Sequence, residues 1–100
     1  MIKRLYLLSV ITFSICQDAP SIESIDPAFG EVGSEIIING SNFCVNDVDN
    51  TVFFGGLEAN ILNATENELM VTVPYGAYYT PISVYTNGLY TVSNQHFDVY

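Results

Sequence analysis

Lysine and arginine stop at position 4. Beyond Lys3 and Arg4 the chain has no cationic side chain of either kind, against 11 Asp and Glu. No carboxylate after that point can pair with Lys or Arg from its own chain. Binding to a phosphate backbone depends on cationic side chains that release counterions, so nucleic acid is excluded as a partner. An anionic lipid surface would repel the same composition. Tryptophan is absent, histidine occurs once (His96), and the cysteines are two, Cys16 and Cys44. There is no paired-His zinc spacing, no glycine-rich phosphate loop and no nucleophile elbow. His96 lies in an alternating stretch near the C-terminus with no Ser or Cys elbow beside it, and reads as an exposed strand residue. These absences argue against an enzyme and against a resident cofactor.

What is present begins with a leader. Met1-Ile2-Lys3-Arg4 is a short basic opening, and positions 5–15 are an apolar run broken only by Tyr, Ser and Thr. That order is the pattern of a secretory signal peptide, and the run is shorter than the roughly 20 residues a spanning helix needs. Ser14-Ile15-Cys16 places small residues at the first and third positions before a cut. The expectation is therefore a signal peptide over 1–16 and a mature domain over 17–100. Cleavage at Cys16 as a lipid-bearing residue is the second reading. Ile15 stands where a lipoprotein signal carries a small residue, so ordinary cleavage is preferred. The product is expected outside the cell, at a cell surface or in a periplasm, with no membrane insertion of the mature domain.

A cut after Cys16 leaves one small domain with a formal charge of −11. It also leaves Cys44 alone, so no internal disulfide is expected. Cys44 then reads as a half-buried small residue, and stability rests on the apolar core.

From residue 21 onward, short apolar alternations are separated by Gly, Pro, Asn and Asp, with no 3.6-residue period. Short strands at this spacing indicate an all-β sandwich. Strands are expected over 21–25, 35–39, 51–54, 57–62, 69–73, 82–85 and about 90–99, seven in all. Ile36 and Ile38 should point inward with Ile37 outward. Val52 and Phe54 should share a face opposite Phe53, and Phe97 and Val99 should face in. Asn87-Gly88 is a two-residue hairpin signal, because both residues tolerate positive φ.

The spaced residues Pro20-x-Ile22-x-x-Ile25-x-Pro27, Gly30 and Gly33 resemble the opening of an IPT/TIG domain. The likeness continues through Ile36-x-Ile38-x-Gly40-x-Asn42-Phe43 and Val52-x-Phe54-Gly55-Gly56-x-x-Ala59. It ends with Val71-x-Val73-Pro74-x-Gly76-Ala77, Ile82-x-Val84 and Phe97-x-Val99. It covers essentially the whole chain after the leader and departs from the family at Tyr78-Tyr79-Thr80-Pro81, where a glycine is common. The resemblance implies an immunoglobulin-like sandwich found in plexins, some transcription factors and bacterial surface proteins. In extracellular members it serves as a spacer or protein-binding module. The DNA-binding role does not carry over, since the basic loops it needs are missing.

Three groups of residues can carry binding. Tyr75, Tyr78 and Tyr79 crowd one loop, where aromatic rings can stack on sugars or dock a protein. Phe53, Tyr85 and Tyr100 are expected to point outward from one sheet as an exposed aromatic stripe. The loop 46–50 offers oxygens to Ca²⁺, with Asp47 and Asp49 as ligands, although it lacks the glycine and terminal glutamate of the known calcium loop. A plain polar loop is the preferred reading there. Asn39-Gly40-Ser41 and Asn63-Ala64-Thr65 fit the glycosylation sequon, with Asn39 set in a strand. The expected function is a non-catalytic exported module that binds a protein at the cell surface or acts as a spacer. The alternatives are a carbohydrate-binding module using the 75–79 loop and the N-terminal module of a longer surface protein.

Overall fold

The computed structural model describes residues 18–46 and 49–100. The expected leader over 1–16, including Cys16, lies outside them, as does Asp47. Nine strands form: β1 Ser21–Asp26, β2 Phe29–Gly30, β3 Glu35–Ser41, β4 Asn50–Phe54, β5 Leu57–Ala59, β6 Ile61–Ala64, β7 Glu68–Thr72, β8 Thr80–Thr86 and β9 Leu89–Val99. They make a four-stranded sheet in the order β1-β3-β7-β6 and a five-stranded sheet in the order β2-β9-β8-β4-β5. Among the described residues no helical element occurs. The architecture is the all-β, immunoglobulin-like sandwich.

Alternation places the core. Ile36 and Ile38 from β3, and Leu69 and Val71 from β7, point at Val52 and Phe54 from β4 and Ile82 and Val84 from β8, all buried. Phe97 of β9 meets Phe54 edge to face, with ring centroids 5.3 Å apart and planes at 82°. Ile37 and Phe53 take the outward positions, as the alternation requires. Val99 packs only partly buried at the margin.

Two strands beyond the expected seven arise from local chemistry. The expected strand over 57–62 is two: β5 pairs with β4 and β6 pairs with β7, so the chain changes sheets at Asn60. The Asn60 carbonyl accepts the Thr72 N–H at 3.1 Å, which satisfies the backbone at the crossing. After Pro27, where the sequence predicts no strand before residue 35, the chain places Phe29 and Gly30 in parallel register with Asp98 and Val99. The β8–β9 hairpin turns on Asn87 and Gly88, at φ of 51° and 88°, and pairs Thr86 with Leu89. Further along, the ladder breaks between Pro81 and Ser83. There the Ser93 hydroxyl accepts the Ile82 N–H at 2.9 Å and donates to the Gln95 carbonyl at 2.5 Å. A side chain thus replaces the backbone partner lost at the bulge.

Gly40 of the Gly-x-Asn-Phe run has a steric reason. A β-carbon there would collide with the Ser21 carbonyl and come within 2.8 Å of the Phe43 ring, so only glycine lets β1 close on β3. Asn42 follows at φ 65°, its amide donating to the Ala19 carbonyl at 3.1 Å.

A buried amide ties Cys44, between β3 and β4, to the strands. Asn50 Oδ1 accepts the Cys44 N–H at 3.1 Å and the Thr86 hydroxyl at 3.1 Å. Its Nδ2 donates to the Cys44 carbonyl at 2.7 Å. Cys44 itself is buried and disulfide-bonded, which corrects the expectation of a lone half-buried thiol. The other cysteine of the sequence, Cys16, falls outside the described residues.

Candidate functional site

The outward positions of the five-stranded sheet follow from its register. Phe53 lies opposite Glu58 on β5 and Ser83 on β8, and Ser83 lies opposite Val92 on β9. One pair further along, Thr51 lies opposite Tyr85 and Tyr85 opposite Tyr90. Opposed residues share a face, so these side chains stand together on the solvent side. The rings touch. Phe53 meets Tyr85 at 5.6 Å with planes at 84°, and Tyr85 stacks on Tyr90 at 5.3 Å and 21°. Tyr85 remains 41% exposed and Tyr90 61%. Val92 is exposed beside them. Toward the other end of the sheet His96 stacks on Tyr79 at 4.8 Å and 21°, and Phe29 lies 6.3 Å from Tyr100.

The expected stripe of Phe53 and Tyr85 is therefore one contact row, and Tyr100 lies with Phe29, away from it. Tyr90 is the member that alternation alone passed over. The signal was present: a two-residue Asn-Gly hairpin pairs Thr86 with Leu89 and hence Tyr85 with Tyr90.

The tyrosines of the 75–79 loop do not converge on one surface. Tyr75 is 91% exposed and extends into solvent. Tyr78 lies over Gly55, whose absent β-carbon would come within 2.6 Å of the Tyr78 hydroxyl. Gly55 also sits at φ 66°, so this pairing of a bare backbone with a ring fixes the loop where the sequence departs from the family's usual glycine. Tyr79 turns to His96. His96 thus has an aromatic partner, and no nucleophile is placed against it in the described hydrogen bonds.

In the 46–50 loop Asp49 is exposed, and its carbonyl accepts the Asn87 N–H at 3.2 Å. Asn50 is committed to Cys44 and Thr86. Among the described residues no group of three His, Cys, Asp or Glu side chains is placed to hold a metal. Of the two sequons, Asn39 donates its amide to the Ser24 hydroxyl at 3.2 Å within the β1–β3 ladder, whereas Asn63 is exposed on the edge strand β6.

Cyclomaltodextrin glucanotransferase of Geobacillus stearothermophilus is 33% identical over 67 residues, 67% of this chain and 9% of that one. An auxiliary nutrient binding protein from Bacteroides thetaiotaomicron shares the fold with a TM-score of 0.80 at 23% identity, over 86% of this chain and 22% of its own. The extracellular region of plexin A4 superposes with a TM-score of 0.74 at 15% identity, over 98% of this chain and 13% of its own. The chain thus spans less than a quarter of the length of each. The model of the IPT/TIG domain matches residues 20–99, from the proline before β1 to the end of β9, and the chain belongs to the IPT/TIG family.

Proposed function

We propose that this chain is an exported, non-catalytic interaction module, working at a cell surface or outside the cell, and that its contact surface is the outer face of the five-stranded sheet. The observation that carries the reading is the outward contact row of half-buried Phe53 with exposed Tyr85 and Tyr90, and exposed Val92 beside it. Large aromatic rings left in water on a regular sheet are a disposition suited to a partner. The extracellular region of plexin A4 supports a setting outside the cell by analogy.

We favour a protein over a sugar at the 75–79 loop because of how its tyrosines diverge. A saccharide platform wants rings that lie in one plane, and Tyr75, Tyr78 and Tyr79 go three ways. A spacer role is the second reading, favoured by the small share of each relative that this domain occupies.

Labelled chain, wild type and Tyr85→Thr/Tyr90→Thr, applied to intact cells of its own host tests the proposal. Saturable surface binding by the wild type and at least tenfold weaker binding by the variant is the expected result. Saturable binding that the variant retains in full would move the contact elsewhere. No binding by either would leave the spacer.

A further inference from the structure

We infer that the aromatic face takes a segment of a partner protein bearing lysine or arginine, whose cationic side chains seat against the rings of Phe53, Tyr85 and Tyr90. The inference rests on the interaction face proposed above and names the chemistry of its occupant.

Three observations converge on a cation. The first is that the chain cannot supply one: no Lys or Arg occurs beyond position 4, while all 11 carboxylates do. Ring faces on a sheet surface are commonly covered by the stems and heads of neighbouring Lys and Arg. Here no residue beyond position 4 can supply that covering. The second is the shape of the row. Phe53 stands at 84° to Tyr85, so the two rings form a notch rather than a floor. A side chain entering it meets one ring by its face and the other by its edge. The outer side of Tyr90, the most exposed member, is a second ring face within reach. A cation within about 6 Å of a ring centroid is attracted by the quadrupole of the ring.

The third is where charge sits. Glu58 is exposed directly opposite Phe53 in the β4–β5 register, and so stands at the end of the row. It offers a carboxylate to a guanidinium or ammonium already held over the rings. With 11 carboxylates and no Lys or Arg beyond position 4, the domain would steer such a partner at low ionic strength.

The same observations set aside other occupants. A second copy of this chain brings the same negative charge and no cation. An anionic membrane is repelled. A flat sugar finds no coplanar pair of rings large enough to lie across, since Phe53 turns its plane away from Tyr85 and Tyr90.

The probe is a synthetic peptide, acetyl-Gly-Arg-Thr-Arg-Thr-Arg-Gly-amide, titrated into the isotopically labelled full exported chain at 25 and 250 mM NaCl and followed by amide NMR shifts. A peptide with Glu in place of Arg and the sugar maltoheptaose are titrated in parallel. The expected result is saturable binding of the Arg peptide alone, with shifts centred on Phe53, Glu58, Tyr85 and Tyr90. Tyr90→Thr should weaken it about fivefold and Tyr85→Thr/Tyr90→Thr at least tenfold. Glu58→Gln should weaken it two- to threefold, and Ile37→Thr on the opposite sheet should leave it unchanged. Each variant's spectrum reports its own folding, and the single Tyr90→Thr change decides the matter if the double variant is disturbed.

Shifts scattered over Asp26, Glu35 and Glu68, with no loss in the tyrosine variants, would reduce the attraction to bulk charge and overturn the inference. So would binding of maltoheptaose at the rings, or no binding of the Arg peptide. If cell binding still depends on Tyr85 and Tyr90 while the Arg peptide fails, the interaction face stands and only the cationic occupant is lost.

Discussion

The two outer faces of the sandwich are built on the same period-2 alternation and end up as different surfaces. On the four-stranded sheet the outward row Asp26, Ile37, Met70 and Asn63 sets one half-buried apolar pair between polar ends. The next row, Ser24, Asn39 and Glu68, is closed by the hydrogen bond between Asn39 and Ser24. Glu35 and Thr72 complete the pattern. On the five-stranded sheet the corresponding rows hold Phe53, Val92, Tyr85 and Tyr90, with Glu58 the single carboxylate in them. One face ties Asn39 to Ser24 and presents acid to water. The other leaves ring area in solvent. A sandwich needs neither for its stability, because its inner faces supply the core, so the outward residues are free to differ. On the proposed function, the difference between the faces reflects contacts outside the chain.

The largest effect belongs to what the faces share. Phe97→Ala removes the ring that meets Phe54 edge to face between the sheets, and should cost about 3–5 kcal/mol in a denaturant melt. Both faces would lose their scaffold together. A cost below about 1 kcal/mol would mean that the two sheets are held apart by something other than this core.

Next comes the disulfide at Cys44, which tethers the loop between β3 and β4. Reduction should lower stability by about 2–4 kcal/mol. The bond also bears on processing. If the partner of Cys44 is the other cysteine of the sequence, an exported protein that keeps the bond should be heavier than residues 17–100. Thr12 and Ser14 offer small residues for an earlier cut. A native mass equal to residues 17–100 would leave Cys44 without an intrachain partner and withdraw both expectations.

Asn50→Ala should cost about 2–3 kcal/mol, because the Cys44 N–H and C=O would be left buried without their partners. Asn50→Asp keeps the acceptor for the Cys44 N–H and Thr86 but loses the donor to the Cys44 carbonyl. It should fall between the two in thermal melts. Equal melts for all three would show that the loop is held from elsewhere.

The core was the legible part of the sequence. The pairs Ile36/Ile38, Val52/Phe54, Leu69/Val71 and Ile82/Val84 declare which side is inward, since every second residue shares a face. What stayed hidden depends on where the chain goes between strands. Nothing in Leu57 to Ala64 marks Asn60 as the point of transfer from one sheet to the other, because both halves alternate well enough to be one strand. The parallel pairing of Phe29 with Asp98 is set by the approach of chain segments nearly 70 positions apart. Of the candidate site, Phe53 and Tyr85 follow from alternation, and Tyr90 follows only once hairpin register is applied. The bonded state of Cys44 was not legible either, since spacing alone does not say whether a cysteine is paired. The divergence of Tyr75, Tyr78 and Tyr79 could not be read, since it turns on Gly55 and His96, both remote in sequence.

The smallest effect tests how charge divides between the faces. Residues 17–100 carry 11 carboxylates and no Lys or Arg, so added NaCl should relieve repulsion and raise the melting temperature. Exposed charges interact weakly, which sets the gain at about half a kcal/mol, or roughly 2–4 °C for a domain of this size. Glu35 and Glu68 lie on the outer face of the four-stranded sheet with Asp26, whereas Glu58 stands alone among rings. Glu35→Gln/Glu68→Gln should therefore shrink the salt response more than Glu58→Gln does. If Glu58→Gln shrinks it as much, repulsion is spread over the whole surface and the contrast between faces is one of aromatic residues alone. A rise with low-millimolar Ca²⁺ that NaCl does not reproduce would return attention to Asp47 and Asp49, whose loop could then gather a divalent ion despite the commitment of Asn50 to Cys44 and Thr86.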